Sequence, residues 1–241
     1  MLMVIVTVSL PISLPSRAVL RAQDQSREQA FQELRDRMVD EQIVGRGVSD
    51  ERVLEAMRRV PRHEFVPSEL AFQAYEDHPL SIGWGQTISQ PFIVAFMTQA
   101  VDLQPASRVL EVGTGSGYQA AVLAQICDEV YTIEIIPELA ERAAAVLKVL
   151  GYGNIRLTTG DGYEGWPEHA PYDAIIVTCS PTDVPPPLVD QLAEGGRMII
   201  PIDENGNQSL VLMNKKDGRL TQRSILPVLF VPMIHKKGWV R

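Results

Sequence analysis

The sequence predicts one α/β domain: a doubly wound, mostly parallel sheet of seven strands behind an N-terminal helical extension. Three observations predict it. From Ser107 onward, short apolar runs alternate with helical patterns, and near-continuous apolar runs belong to strands covered on both faces. A glycine-rich turn, Gly113-Thr-Gly-Ser-Gly117, joins the first of these runs to a helix. No repeat or low-complexity tract interrupts the 241 residues, a length that can bury a large core.

The first residues stand apart. Leu2 to Leu14 is largely apolar, yet shorter than the roughly 20 residues a membrane helix needs. It reads either as a secretory signal with a cut at Ala18 or Ala22, or as an unstructured or mis-started N-terminus. No Lys or Arg precedes the run, and Leu20 suits a cut at Ala22 poorly. Gln23 to Gln29 reads as a polar linker. Residues 1–27 are therefore set apart from a domain over 28–241, divided into a helical and loop extension (28–105) and a core (106–241).

The extension begins with a helix over Gln29 to Ile43, carrying Phe31, Leu34, Met38 and Val39 at helical spacing and ended by Gly45 and Gly47. Ser49 is expected to cap a second helix whose face is Val53, Met57 and Val60 and which Pro61 stops. Val60 to Pro67 and Tyr75 to Pro91 are loop-rich with short extended pieces. A third helix is expected over Phe92 to Val101. Strands follow at Arg108–Val112, Val130–Glu134, Ile155–Thr159, Tyr172–Thr178, Arg197–Pro201, Ser209–Met213 and Ile225–Val231. Helices are expected around Ala120 to Ala124 and over Pro137 to Leu150. Pro185-Pro-Pro187 reads as a rigid loop.

Composition excludes several functions. With 22 Lys and Arg against 30 Asp and Glu, the net charge is −8, and the longest basic cluster is Lys236-Lys237. That is no footprint for a nucleic acid. Two cysteines, Cys127 and Cys179, exclude a disulfide framework and a Cys-rich zinc site; both read as packed thiols. The four histidines, His63, His78, His169 and His235, show no H-x-x-x-H spacing, so no metal site is expected and His63 reads as structural.

A strand, a glycine turn and a helix start form a cofactor site for physical reasons. Glycines let backbone approach a ligand, and the helix start offers unpaired N–H groups. Glu134 ends the second strand, 21 residues after Gly113, where a carboxylate can accept both hydroxyls of a ribose. A dinucleotide site wants Gly or Ala at position 118, but Tyr118 stands there. Glu111, two residues before the first glycine, disfavours a pyrophosphate and suits a cation. S-adenosylmethionine, with an ammonium, a sulfonium and no phosphate, meets both conditions. Asp161-Gly162 can accept from an adenine amine, though alone it reads better as a turn.

Val109-Leu-Glu-Val-Gly-Thr-Gly-Ser-Gly117 resembles the first motif of class I S-adenosylmethionine-dependent methyltransferases. Thr87-Ile-Ser-Gln-Pro91, preceded by Ile82-Gly-Trp-Gly-Gln86, is similar to the region particular to protein-L-isoaspartate O-methyltransferases. Gly160-Asp-Gly162, Pro171-Tyr-Asp-Ala174, Glu194-Gly-Gly-Arg197 and Phe230-Val-Pro232 resemble the same family, and the likeness runs from about Glu28 onward. It implies a Rossmann-like methyltransferase sheet and protein repair, in which S-adenosylmethionine methylates the free carboxylate of L-isoaspartyl residues in damaged proteins and peptides. By this resemblance Ser89 is the catalytic serine. Gln86, Thr87, Glu111, Gly113, Thr114, Gly115, Gly117, Glu134, Asp161 and Gly162 fall on cofactor positions, and Ile88, Val231 and Pro232 on substrate positions. Two departures bear on substrate contact: Met233 and then Ile234 follow Val231-Pro232, and Phe92 follows Ser89-Gln-Pro91 where some relatives have His.

The chemistry asks little of side chains. A carboxylate with a pKa of about 3.9 is already ionised near neutral pH and needs no strong base. Holding reactants in line can contribute roughly 7–11 kcal/mol. Ser89 is then an orienting hydrogen-bond donor and can also cap the helix after Pro91. Other methyltransferases fit less well: Thr178-Cys-Ser-Pro181 replaces the Asn-Pro-Pro-Tyr of amine enzymes, and Cys179 follows Thr rather than the Pro of cytosine C5 enzymes. Tyr118 and Glu111 disfavour a nicotinamide oxidoreductase. No nucleic-acid or membrane partner is expected, and the chain is expected to be a monomer. Because the cofactor is made in the cytosol, a cytoplasmic location is expected, with export as the alternative if the apolar start is a signal.

Overall fold

The computed structural model describes residues 17–235; the apolar run and its signal reading lie outside them, apart from the two expected cut points, Ala18 and Ala22. Helix α1 spans Arg17–Arg37. It contains Gln23 to Gln29, so the expected linker is a correction. That stretch is rich in Gln, Arg and Glu, all good helix formers, and it is polar because it faces solvent. A boundary at residue 27 thus cuts a continuous helix.

The chain then widens into a π-helical turn, Met38–Ile43, which buries Met38, Val39 and Ile43. A 3₁₀ turn over Val44–Arg46 ends at Gly47, held at φ 91°. Helix α2 spans Glu51–Arg59. Its cap is Asp50, not Ser49: the Asp50 carboxylate accepts from the Arg52 amide at 2.9 Å, while the Ser49 amide donates to Gln99. Val53, Met57 and Val60 are buried as the spacing predicts. The extended pieces form an antiparallel hairpin, β1 (Leu80–Gly83) and β2 (Gln86–Ile88), followed by α3 (Pro91–Ala100).

The remaining elements are β3 (Arg108–Val112), α4 (Tyr118–Ala124), β4 (Glu129–Glu134), α5 (Pro137–Val149), β5 (Ile155–Thr159), β6 (Tyr172–Val177), α6 (Pro186–Gln191), β7 (Leu192–Glu204), β8 (Asn207–Lys216) and β9 (Arg219–Val228). Seven strands build one sheet in the order β5-β4-β3-β6-β7-β8-β9. The first five are parallel; β8 and β9 are antiparallel. Alternate residues serve opposite faces: Val109 and Ile176 pack into one core layer, Leu110, Val112, Ile175 and Val177 into the other.

Two further corrections concern the C-terminal half. The last three strands extend to 13, 10 and 10 residues, and the final one ends at Val228 rather than Val231. Asn205-Gly206 and Asp217-Gly218 turn the hairpins with positive φ at all four residues, the signature of tight hairpin turns. Pro185-Pro-Pro187 is not simply a loop: its prolines start α6, where a missing N–H costs nothing.

Candidate active site

Parallel strands that diverge in their connections leave a crevice at their carboxyl ends. Here β3 leads outward to β4, while β6 lies on its other side, so the crevice opens beside Val112 and Val177, paired in register. A cleft enclosing about 790 Å³, part of it open to solvent, occupies this place. Such a volume suits a cofactor-sized ligand.

The glycine turn shapes one wall. Gly113 has φ +100°, and a Cβ there would stand 2.4 Å from the Thr178 hydroxyl. That hydroxyl donates to the Gly113 carbonyl at 2.6 Å. The turn therefore packs against β6 with no room for a side chain. Gly117, at φ +89°, precedes α4, and its bare Cα lets Ala143 and Leu147 of α5 approach.

Two carboxylates stand at strand ends. Glu134, buried, accepts the Gly115 amide at 2.7 Å and the Ile136 amide at 3.0 Å. Burial raises its pKa, opposed by these backbone bonds. Glu111 is wholly buried. One oxygen accepts the Thr132 hydroxyl at 2.5 Å, and Thr132 in turn meets the Thr114 hydroxyl at 2.6 Å. The other oxygen, Oε1, has no hydrogen-bond partner among the described residues. Burial, reinforced by the Glu134 charge, pushes the Glu111 carboxyl up to about 8, against the Thr132 bond.

The β1–β2 hairpin supplies the opposite wall. Arg142 of α5 donates to the Ile82 carbonyl at 3.0 Å, tying the hairpin to the cofactor side. Gln86, Thr87, Ile88 and Ser89 line the cleft, as do Val231 and Pro232 beyond the last strand. The latter segment is pinned by the Ser180 amide to the Val231 carbonyl at 2.8 Å and the Met233 amide to the Ser180 carbonyl at 2.9 Å. A second groove, about 660 Å³, continues from Thr87, Ser89, Thr178 and Val231 toward Ile93, Leu229 and Phe230.

All but two of the sequence-predicted site residues line the first cleft: Gln86, Thr87, Ile88, Ser89, Glu111, Gly113, Thr114, Gly115, Glu134, Gly162, Val231 and Pro232. Gly117 and Asp161 do not. Gly117 serves helix packing. The Asp161 carboxylate accepts the Tyr163 amide at 3.0 Å and faces His235 Nδ1 at 3.3 Å, beside the lining Gly162. Sequence reasoning missed Thr132, Thr178 and Gln119, and met Met233 only as a departure bearing on substrate contact. Thr132 had a signal: it interrupts the apolar run of its strand. Ile234 also lines the cleft, whereas Phe92 is buried under the Arg46 guanidinium at 3.5 Å and is absent from the lining. Cys127 is buried and Cys179 borders the cleft; burial raises both thiols, Cys127 to about 12, which favours the neutral form over the thiolate. His63 stacks on Phe31 at 3.8 Å, away from the cleft lining, and no group of three or more metal-binding side chains gathers among the described residues.

Known proteins share this arrangement. The sequence profile described as protein-L-isoaspartate(D-aspartate) O-methyltransferase matches residues 33–238. A protein-L-isoaspartate O-methyltransferase of Opitutus terrae is 56% identical over 211 residues, covering 87% of this chain and 91% of the relative. One of Gloeobacter violaceus is 53% identical over 201 residues, covering 83% and 98%. A solved protein-L-isoaspartate O-methyltransferase superposes with TM-score 0.74 at 33% identity, over 87% of this chain and 66% of that one. A Plasmodium falciparum structure described as an enzyme of this kind in complex with S-adenosyl-L-homocysteine gives TM-score 0.74 at 29% identity, over 83% and 98%. This chain belongs to the protein-L-isoaspartate(D-aspartate) O-methyltransferase family.

Proposed function

We propose that this protein is a repair methyltransferase that transfers a methyl group from S-adenosylmethionine to the free carboxylate of L-isoaspartyl residues in damaged proteins and peptides. Family membership supports the reaction. One geometric observation carries it to these residues: Thr87, Ser89, Thr178 and Val231 form a wall common to two clefts, one built around the glycine turn and one groove of mixed polar and apolar lining that is open to solvent.

The residues of the first cleft fit the cofactor. Glu111 offers a buried oxygen with no partner among the described residues, suited to a cation. Gly113 and Gly162 leave backbone bare, since a Cβ at Gly162 would strike Val112 at 2.5 Å. Glu134 is the acceptor for ribose hydroxyls, and Gln86, Thr114 and Gly115 complete the cradle, with Asp161 beside it. When bound, S-adenosylmethionine supplies an electrophilic methyl group on a sulfonium. The protein's own work is to orient. Ser89 donates to the incoming carboxylate, Ile88, Val231 and Pro232 hold the peptide, and Met233 and Ile234 exclude water. No proton need be removed from an ionised carboxylate, which agrees with a cleft lined by no histidine.

The catalytic domain in this reading is residues 28–241, with α1 continuing ahead of it; it acts as a monomer and works in the cytoplasm, where the cofactor is made. No helix of the described residues is long and apolar enough to cross a membrane. The test is transfer of labelled methyl to an isoaspartyl peptide and to its aspartyl twin. Base-labile label only in the former is the expected result; equal or no labelling refutes the proposal.

A further inference from the structure

A buried charge that no ion pair neutralises is costly, so its contacts indicate what it holds in place. Arg62, in the Val60 to Pro67 stretch, is wholly buried. Its Nε donates to the Ala74 carbonyl at 2.6 Å and its Nη2 to the Ser89 carbonyl at 2.7 Å. The guanidinium lies 4.7 Å from the centre of the Tyr118 ring, itself part of the cleft lining. An aliphatic side chain would fill this space without desolvating a charge. What it would lose is the two-pronged grip on carbonyls 15 residues apart in sequence.

The far side of the same segment is held as firmly. Asp77 accepts from the Gln90 side chain at 2.7 Å and from the Phe92 amide at 3.2 Å, and pairs with Arg46 at 2.7 Å. Ser89 thus sits between two anchors, Arg62 on its own carbonyl and Asp77 on the two residues that flank Pro91. The Gln90 side chain makes no cap to α3, so the helix start does not by itself fix Ser89.

We infer that Arg62 is a positioning residue for the methyl-transfer reaction: its guanidinium fixes the Ser89 main chain and so aims the Ser89 hydroxyl at the wall between the two clefts. The inference rests on the proposed role of Ser89 and adds a residue that touches neither cleft. The two carbonyls are met by different nitrogens of one rigid planar group, Nε and Nη2, a geometry that a single ammonium does not reproduce.

The experiment is a double-mutant cycle on the full chain, with Arg62→Lys, Ser89→Ala and both together, plus Arg62→Gln as a neutral variant. Turnover and KM are measured with an isoaspartyl peptide, S-adenosyl-L-homocysteine affinity by calorimetry, and thermal unfolding in parallel. Arg62→Lys and Arg62→Gln are expected to lower kcat on the order of tenfold to a hundredfold while inhibitor affinity barely moves, as misplacement of a reacting group by about 1 Å does. Adding Ser89→Ala to either is expected to cost almost nothing more, because Arg62 acts through Ser89. Losses that multiply in the double variant, or unchanged kcat in folded Arg62 variants, overturn the inference. So does collapse of both Arg62 variants to the unfolded state, which would make Arg62 a residue of the fold alone. An active Ser89→Ala enzyme would instead refute the role of Ser89, and a wild type inactive on the isoaspartyl peptide would refute the proposed function, so the three failures are distinguishable.

Discussion

Glu111 and Thr132 stand opposite each other on paired parallel strands, and the threonine hydroxyl reaches one carboxyl oxygen at 2.5 Å while the other oxygen has no partner among the described residues. Two polar side chains in the middle of an apolar sheet are costly unless a ligand completes them. The pair therefore links the fold's stability to what the cleft holds.

A pH dependence follows. The folded Glu111 carboxyl is raised to about 8 from an ordinary 4.5, so the folded state binds a proton that the unfolded state has released. Its contribution is fully present below about pH 4.5 and is lost as pH rises through about 8. Denaturant midpoints of the cofactor-free protein should fall across this window, and Glu111→Gln should flatten that component. An equally steep fall in Glu111→Gln would show that another group is responsible.

Ser89→Ala is expected to lower kcat for the isoaspartyl peptide by about tenfold to a hundredfold, the scale set by lost orientation. Its cofactor affinity should stay close to that of the wild type, since Ser89 lies on the wall shared with the second groove rather than in the glycine turn. Steady-state kinetics beside calorimetry separate the two quantities. A variant that turns over normally removes Ser89 from the reaction.

Glu134→Ala should weaken cofactor binding by about 1.5–3 kcal/mol, the range for a hydrogen bond to a charged group. The same change frees the Gly115 and Ile136 amides that the carboxylate holds, so the glycine turn loosens as well. Calorimetric titration gives the number directly, and unaltered affinity would sink the assignment.

Gly113→Ala is expected to destabilise the protein by roughly 1–3 kcal/mol, the cost of a non-glycine residue in a sparsely populated backbone region. Its new methyl would also press on the Thr178 hydroxyl. Chemical unfolding measures the loss, and a stable Gly113→Ala protein would mean that the turn is less constrained than its φ of +100° indicates.

His63 provides a second titration of opposite sign. Burial, and then the Arg35 and Arg27 charges, depress its pKa to about 4, while its ring meets the Tyr75 hydroxyl at 2.6 Å. The unfolded chain takes up a proton near pH 6.5 that the folded chain refuses. Stability should decline as pH drops from about 6.5 toward 4. Imidazole NMR shifts of the folded protein should stay in the neutral form down to about pH 5; a midpoint near 6.5 would contradict this.

Much of this was legible in the sequence where local chemistry decides structure. The strands from Arg108 to Val177 match their apolar runs to within a residue: β3, β4 and β6 because they are largely buried in the middle of the sheet, and β5, a half-exposed edge strand, because its run is short and closely bounded. Lengths failed where burial is one-sided. Most side chains of β9 are exposed, so the apolar run marked only its end, although Asn205-Gly206 and Asp217-Gly218 announced the turns. The linker error came from reading polarity as irregularity, when an exposed helix is polar too. In the site, the glycines and strand-end carboxylates were visible because position along the chain nearly dictates them. Thr178 and Arg62 were not, and Thr132 showed only as a polar break in its strand: each acts across 21 to 66 residues of sequence, through contacts that only the assembled fold creates.

The chain leaves β9 at Val228 with the sheet already complete, yet Val231 to Ile234 still wall the cleft. During synthesis, every strand can pair before the ligand-binding crevice has its last side. Newly made protein should remain unable to capture the donor until Val231 to Ile234 have folded against Ser180. A version ending at Val228 should keep its circular-dichroism spectrum and lose binding; retained binding would show that this side is dispensable.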